Sequence, residues 1–509
     1  MNNLNLFECG KLWGKIKISR IVALGLVVML IAGAVPGRIG LWRVFGDYHY
    51  TSGEGYQYPA LGLDAYYAPH KVVPMSGFTT TPMISAGGAH TLALRYDGTV
   101  WAWGSNGFYG LLGIDSFAGS YRTPQHVDTL SNIVAVSAGD IHSLALDSNG
   151  NVWAWGSNAH GRLGLGSAKD LYQAPQQITS LSDVVAIAAG RYHSLALDAS
   201  GTVWAWGNNN RNQLGFRGIP NAPQHVTAVN NIVAISAGHE HSLALDNRGA
   251  VWIWGRSGEG TAWARDYIPR RATIHNNIIM TQSGGFHSLG IDSDRAVWAW
   301  GSNRAGQLGI GGGSNTNLPA QLVDNLRGIV AIAAGSEHTL ALGYNGDVWA
   351  WGQALSGRLG IGSTSGIYNT PQLVESLSNI ASISAGGAHS FAIAGNGYVW
   401  AWGWNGPDGL LGIGSTNPVY STPRRVRGYD TWYLNLNPPP PPIIWGDVNR
   451  DGQVTAADVG LLRAYLAGFP VDICREAADV NNDGQITAAD VGLIRAYLAG
   501  FPVTLGPER

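Results

Sequence analysis

Two hydrophobic rhythms divide this chain. Over residues 70–428 apolar residues come in short runs broken by turn-forming Gly, Asn, Asp and Ser, which predicts short β-strands. In the last sixty or so residues the spacing becomes helical, and Val459, Leu462, Tyr465 and Leu466 predict an α-helix over 456–467.

The strand rhythm is a repeat. A unit of the form A-G-x-x-H-S-L-A-L, a G-x-V turn and W-A-W-G recurs seven times, with His90, His142, His193, His241, His287, His338 and His389 spaced 46 to 52 residues apart. Each unit is expected to supply four strands, in the third copy near 184–188, 193–197, 203–206 and 224–226. The turn at Ala199-Ser200-Gly201 needs a glycine at positive φ. In Trp204-Ala205-Trp206 the two indoles share one strand face and the alanine faces the other sheet. Fourteen of the 20 tryptophans sit in such pairs, so the indoles are read as inter-blade packing. The repeated histidine is likewise read as framework, tying a strand to a neighbouring loop, rather than as a metal or catalytic ring. One four-stranded sheet cannot bury both its faces; seven around an axis can. The fold class is therefore all-β, a seven-bladed β-propeller over 43–437. Segment 70–87 resembles the inter-motif segment 175–190, so one blade is expected to mix strands from both ends of the chain, with 423–426 beside the N-terminal segment.

The consensus GxxHSLALDxxGxVWAWGSNxxGQLGxG is similar to the regulator of chromosome condensation repeat in its bacterial, W-A-W-G-rich form. The fourth unit departs from it: RSGEGTAWARDYIPRR follows Trp254-Gly255 in place of the N-x-x-G-Q-L-G loop, marking an irregular surface. The best-known member of that family is a nuclear nucleotide-exchange factor for a small GTPase, but the fold hosts unrelated roles. An exported chain without a basic arm or a wedge-like insertion is not expected to share that activity. Trp404 and Trp263 lie outside the repeated slots and are candidates for contact with a glycan or a protein.

Lys11, Lys15, Lys17 and Arg20 precede an apolar run over 21–31 and then Ala32-Gly33-Ala34, which reads as a signal peptide over 1–34. The alternative is an uncleaved anchor, although Pro36, Gly37 and Arg38 interrupt the run a spanning helix would need. A secreted, extracellular protein is expected, with no membrane contact after cleavage. Beyond the leader 27 basic residues face 32 acidic ones, a net charge of −5, and no basic tract occurs, which argues against nucleic acid as a partner. Of the two cysteines, Cys9 falls in the leader and Cys474 is left alone, so packing and metal must hold the fold. A monomer is expected.

Five prolines at 438–442 form a stiff spacer over 438–445. Beyond it, 446–471 and 478–503 align without a gap and differ at four of 26 positions. Each copy opens with a loop, DVNRDGQVTAAD at 447–458 and DVNNDGQITAAD at 479–490, with acids or amides at positions 1, 3 and 5, glycine at 6 and an acid at 12. Ca2+ is a hard ion and takes about six to eight oxygens. Asp447, Asn449 and Asp451 offer side-chain oxygens, Gln453 its carbonyl, Thr455 a direct or water-mediated ligand and Asp458 a closing carboxylate. Asp479, Asn481, Asp483, Gln485, Thr487 and Asp490 repeat the set for a second Ca2+.

The prolines forbid a helix entering the first loop, and aspartate closes both loops. This duplicated loop and exiting helix resembles a type I dockerin, a small all-α domain, over 446–503. The resemblance implies calcium-dependent binding to a cohesin module of a scaffold protein, in a cellulosome-like assembly for polysaccharide breakdown. The family's recognition positions fall on Ala456, Ala457 and Arg463 and on Ala488, Ala489 and Arg495. Alanine pairs at loop positions 10 and 11 suggest an apolar contact, and near-identical helices imply two docking orientations.

The expected function is a secreted non-catalytic interaction protein whose dockerin docks on a scaffold while the propeller binds a protein or polysaccharide. No H-E-x-x-H or G-x-S-x-G motif occurs. The alternatives are a polysaccharide hydrolase or lyase with carboxylates drawn from different blades, and an inhibitor of a secreted enzyme. Two close acids in a ring-face pocket favour the enzyme, an aromatic platform a glycan, a broad apolar patch a protein partner.

Overall fold

The computed structural model describes residues 80–437, apart from 108, 117–118, 257–267, 276, 313–317 and 429–432, and residues 448, 454–467, 471, 473, 475–481, 485–499 and 505 of the C-terminal module. The leader with Cys9, the proline spacer, Trp263 and Cys474 lie outside the described residues.

Each repeat forms one antiparallel sheet of four consecutive strands, and the seven blades span 83–126, 133–177, 184–225, 232–271, 278–322, 329–373 and 380–425. In blade 2 the strands are Ile133–Ala138, His142–Asp147, Val152–Ser157 and Leu171–Gln177. The second strand is buried along its whole length, because neighbouring blades cover both its faces. First strands of successive blades pack beside one another, and Met83–Ala86 of blade 1 packs against Ile380–Ala385 of blade 7, closing the ring.

The turn after the second strand is as expected, with Gly201 at φ +83°. Asp198 accepts hydrogen bonds there from the backbone of Ser200 and Thr202 and from Trp204 Nε1 at 3.0 Å. One aspartate thus shapes the turn and anchors the first, half-buried indole of the pair. The second indole is fully buried against the preceding blade: Trp155 packs on Leu92, Leu94 and Val100 and donates Nε1–H to Leu111 O at 2.8 Å. The irregular fourth unit breaks this series. Trp300 of blade 5, whose indole would reach that unit's loop, has no partner for Nε1 among the described residues.

The A-G-x-x-H glycines permit close approach between blades. A β-carbon on Gly139 would lie 2.6 Å from Gly190 O in the next blade and 2.6 Å from His142 Cε1. Gly87, Gly190, Gly238, Gly284, Gly335 and Gly386 stand in the same relation to their neighbours, so the motif glycines form a complete inner ring.

Closure corrects the expected mixed blade. Val419–Arg425 pairs with Val399–Trp404 of its own blade, with one bulge, so 380–425 supplies all four described strands of blade 7, while 70–79 lie outside the described residues. Side chains and a strap join the ends instead. Trp103 packs on Phe391 with ring centroids 5.9 Å apart, in a cluster with Ile84 and Val399. Beyond the last strand, Leu434 N donates to Val426 O, Leu436 N to Gly397 O and Tyr96 N to Leu436 O, and both leucines are buried.

The C-terminal module is all-α: α1 (Ala456–Leu466), α2 (Arg475–Ala478) and α3 (Ala488–Leu498). Helices α1 and α3 pack through Val459, Leu462, Val491 and Ile494 on a core with Val448, Ile473 and Val480. Leu466, expected on the buried stripe, is 40% exposed instead, lining an open groove between α1 and α3. One helical turn, α2, leads into the second loop. No helix among the described residues is long and apolar enough to cross a membrane.

Candidate functional sites

The loop-to-helix junctions carry the clearest chemistry of the C-terminal module. Thr455 is the N-cap of α1: its Oγ1 accepts from Ala457 N at 3.2 Å, and its own N–H donates to Asp458 Oδ2 at 2.7 Å, completing a capping box. Asp458 is fully buried, and its other oxygen accepts from Val448 N at 2.7 Å. Loop position 12 therefore folds back onto position 2. The second repeat has the same capping box, with Ala489 N donating to Thr487 Oγ1 at 3.2 Å and Thr487 N to Asp490 Oδ2 at 2.8 Å, while the long-range donor is position 3, Asn481 N to Asp490 Oδ1 at 3.4 Å. Each module half thus buries a carboxylate held by backbone donors and surrounded in sequence by oxygen ligands. That donor set fits Ca2+, a hard cation that would compensate the buried negative charge. Asp479, Asn481 and Gln485 are described beside these pairs; Asp447, Asn449, Asp451, Gln453 and Asp483 lie outside the described residues.

All six candidate cohesin contacts, Ala456, Ala457, Arg463, Ala488, Ala489 and Arg495, are solvent-exposed. Arg463 of α1 and Arg495 and Ala488 of α3 come together along one shallow groove of about 440 Å³ with Leu466 and Val491, whereas Ala456, Ala457 and Ala489 lie outside it. Sequence reasoning missed Leu466, Tyr497 and Leu498 as surface groups, 40%, 48% and 40% exposed. The helical period marks them apolar without showing which side chains the partner helix leaves uncovered.

The repeated histidines form a closed hydrogen-bonded circuit. His90 Nε2 meets Ser143 Oγ at 2.7 Å, and the relation recurs from each blade to the next, ending with His389 Nε2 and Thr91 Oγ1 at 3.5 Å. Ser143 Oγ in turn donates to Leu111 O at 3.0 Å, the carbonyl that also receives the Trp155 indole. A hydroxyl that donates to a carbonyl must accept from the imidazole, so Nε2 carries the proton. Burial, foremost, pushes His90, His193, His241 and His287 down to about 3 and His389 to about 4, and holds His142 and His338 well below the ordinary value. These are neutral framework groups, as expected, but bonded to the next blade's strand rather than to a loop.

The chemistry that differs between blades lies in the two residues before each histidine and in the loops after W-A-W-G. Blades 1 and 7 carry only Gly88-Ala89 and Gly387-Ala388 there. Blades 2 to 6 carry Asp140, Arg191-Tyr192, His239-Glu240, Phe286 and Ser336-Glu337. Arg191 Nε is 3.2 Å from Asp140 Oδ2, and His239 Nε2 is 3.2 Å from Ser336 Oγ, a bond spanning two blades. Burial, then the nearby Arg191, lowers the His239 pKa.

Beside this cluster is a pocket of about 440 Å³ lined by Tyr192, Asn208, Asn210, Arg211 and Glu240, among others. Its one acid is engaged: Glu240 Oε2 lies 3.2 Å from Arg256 and 3.7 Å from Arg211. Among the described residues, the pocket therefore holds no pair of close acids. Trp404 is exposed, at 37%.

Comparison with known proteins agrees with both halves of this architecture. Residues 49–262 and 220–436 match the model of the RCC1-like domain, and residues 445–499 that of the dockerin type I domain. The ultraviolet-B receptor UVR8 of Arabidopsis thaliana is 31% identical over 353 residues, covering 68% of this chain and 69% of its own. The probable E3 ubiquitin-protein ligase HERC6 of Homo sapiens is 41% identical over 140 residues; that match covers 27% of this chain and spans only 14% of the relative's length. The crystal structure of Prp20p from Saccharomyces cerevisiae aligns with a TM-score of 0.59 at 28% identity, over 65% of this chain and 86% of that one.

Proposed function

Since this chain belongs to the family of RCC1-like domain proteins and carries a dockerin type I domain at its C-terminal side, we propose that it is a secreted, non-catalytic interaction protein. The module at 446–503 binds two Ca2+ through its two loops and docks on a cohesin module of an extracellular scaffold. The propeller, 43–437, presents its loop face to a polysaccharide or protein partner. Segment 1–34 directs export, and 438–445 spaces the two functions.

The observation that carries this reading is the doubled capping box, Thr455 with Asp458 and Thr487 with Asp490, each burying a carboxylate at the end of an oxygen-rich loop. A module of about 60 residues without disulfides has a small core, so metal binding supplies part of its folding free energy. Arg463 and Arg495 offer the cohesin two exposed guanidinium groups on one groove. Glu240, the pocket's one acid among the described residues, is held by arginines, which supports a binding rather than a hydrolytic role.

The test is capture of the full chain by an immobilised panel of cohesins in calcium, followed by chelator. Capture that chelator reverses is expected; capture indifferent to chelator, or none across the panel, contradicts the docking role.

A further inference from the structure

We propose that the pocket formed by blades 2, 3 and 4 is a subsite for an acidic sugar, a ring bearing a carboxylate or a sulfate. This rests on reading the propeller as a binding face and narrows its partner to one chemistry.

Arginine is in excess here although the chain as a whole is net negative. Arg211 lines the pocket, Arg162 and Arg191 lie beside its Tyr192 and Arg256 pairs with its Glu240, against Asp140 and Glu240 among the described residues. The repeat itself supplies an internal control. Arg162 of blade 2 and Arg358 of blade 6 occupy the same loop position, and each donates Nε–H at 2.9 Å to the carbonyl three residues earlier. Both are almost wholly buried, at 2% and 5% exposure. Twenty-one residues before Arg358 stands Glu337, 3.4 Å from its guanidinium. Twenty-one residues before Arg162 stands Ile141, and no carboxylate lies within 4 Å of Arg162 among the described residues. Asp140 favours the Arg162 charge from beyond contact distance, so the cation is only partly compensated, and an anion bound beside Tyr192 would add to that compensation.

The rest of the site fits a sugar. Arg162 and Arg191 lie 5.6 and 4.9 Å from the Tyr192 ring, and Tyr192 itself lines the pocket as its aromatic group. The Asn208 amide is fixed by Asn210 N at 2.9 Å and Gln213 Nε2 at 3.3 Å, which holds it ready for a hydroxyl. Arg211, at the rim, adds a half-exposed guanidinium for the acidic group. An aromatic face, side-chain amides and surplus guanidinium charge together match a hydroxylated ring with one oxyanion.

The experiment titrates the calcium-loaded full chain calorimetrically with an oligogalacturonate, a sulfated galactan oligosaccharide and a neutral galactan oligosaccharide. Binding of at least one acidic ligand is expected, weakened at least about tenfold by Arg211→Gln and by Tyr192→Ala. Raising salt to about 0.5 M should also weaken it. Binding in the first arm alone identifies a carboxylate site, in the second alone a sulfate site. Equal binding of the neutral ligand, no acidic binding, or binding indifferent to both variants overturns the proposal. Unchanged melting of Arg211→Gln confirms that the reading is not one of misfolding. Cohesin capture is measured on the same samples: capture without acidic-sugar binding removes this subsite and leaves docking standing, and the converse removes only docking.

Discussion

His90 Nε2 and Ser143 Oγ are 2.7 Å apart, so the histidine of one blade is bonded to the hydroxyl that follows the histidine of the next. The H-S or H-T dipeptide therefore belongs to two circuits at once, its first residue reaching forward and its second receiving from behind. Ser143→Ala should leave His90 without its acceptor and cost about 1–3 kcal/mol. Ser143→Thr should cost little, because Thr91 and Thr339 fill the same slot in blades 1 and 6. Chemical denaturation midpoints of the two variants check this.

The circuit predicts acid lability. An unfolded histidine titrates near 6.5, whereas the buried ones resist protonation until about 3 to 4. Between these values the unfolded chain binds more protons than the folded one, so stability falls as pH drops from about 6.5. Each histidine contributes up to about 1.4 kcal/mol per pH unit. Propeller melting should be nearly flat from pH 8 to about 7 and fall steeply below about 6, with proton uptake on unfolding approaching one per motif histidine. A melting temperature unchanged down to about pH 5 would contradict the neutral ring.

Glycine substitutions should separate the two modules. Gly139→Ala forces a β-carbon against Gly190 O and the His142 ring and should destabilise the propeller by about 1–3 kcal/mol. Gly460, inside α1, has nothing within 4 Å of a built β-carbon, so Gly460→Ala should stabilise the C-terminal module by about 0.5–1 kcal/mol. Calorimetry of the full chain resolves which transition moves.

Chelation should unfold one module only. In calcium two thermal transitions are expected; chelator should abolish the helical one and leave the propeller transition in place. Asp458→Asn and Asp490→Asn should each weaken calcium binding and loosen the adjoining helix, read by far-ultraviolet circular dichroism. A single transition insensitive to chelator would refute the assignment.

The fourth-unit loop predicts unequal worth for two equivalent indoles. Trp351 donates to Gln307 O at 2.9 Å, whereas Trp300 lacks such a partner among the described residues. Trp351→Phe should therefore cost more than Trp300→Phe, by about 0.5–1.5 kcal/mol. Equal losses would show that the indole hydrogen bond adds nothing to ring stability.

The ring and its two hydrophobic rhythms were legible in the sequence because they repeat: seven histidines, paired indoles and a duplicated loop all show as period. What joins one period to the next was not. The partner of His90 lies 53 residues away, at Ser143, and every interval in the repeat fits it equally well. Segment 70–87 looked like an outer strand, yet 419–425 already completes blade 7, and pattern alone does not say which copy takes the edge. The Arg162 site was hidden for the opposite reason: it depends on Ile141 standing where Glu337 stands four blades on, a difference visible only once the loops are placed. For the C-terminal module, spacing alone pointed to Asp458 and Asp490 as ligands; what only the structure adds is that both are buried and held by backbone donors.

The strap at Leu434 and Leu436 lies just before the proline spacer, and so stands in the path of any pull transmitted from a docked scaffold. Its backbone bonds divide between blade 7, through Val426 and Gly397, and blade 1, through Tyr96. Tension on the tether is thus delivered to both sides of the seam together. On the proposed docking role, the seam between blades 7 and 1 is also the propeller's mooring, so a pull from the C-terminal side of the chain would meet the clasp of the ring first.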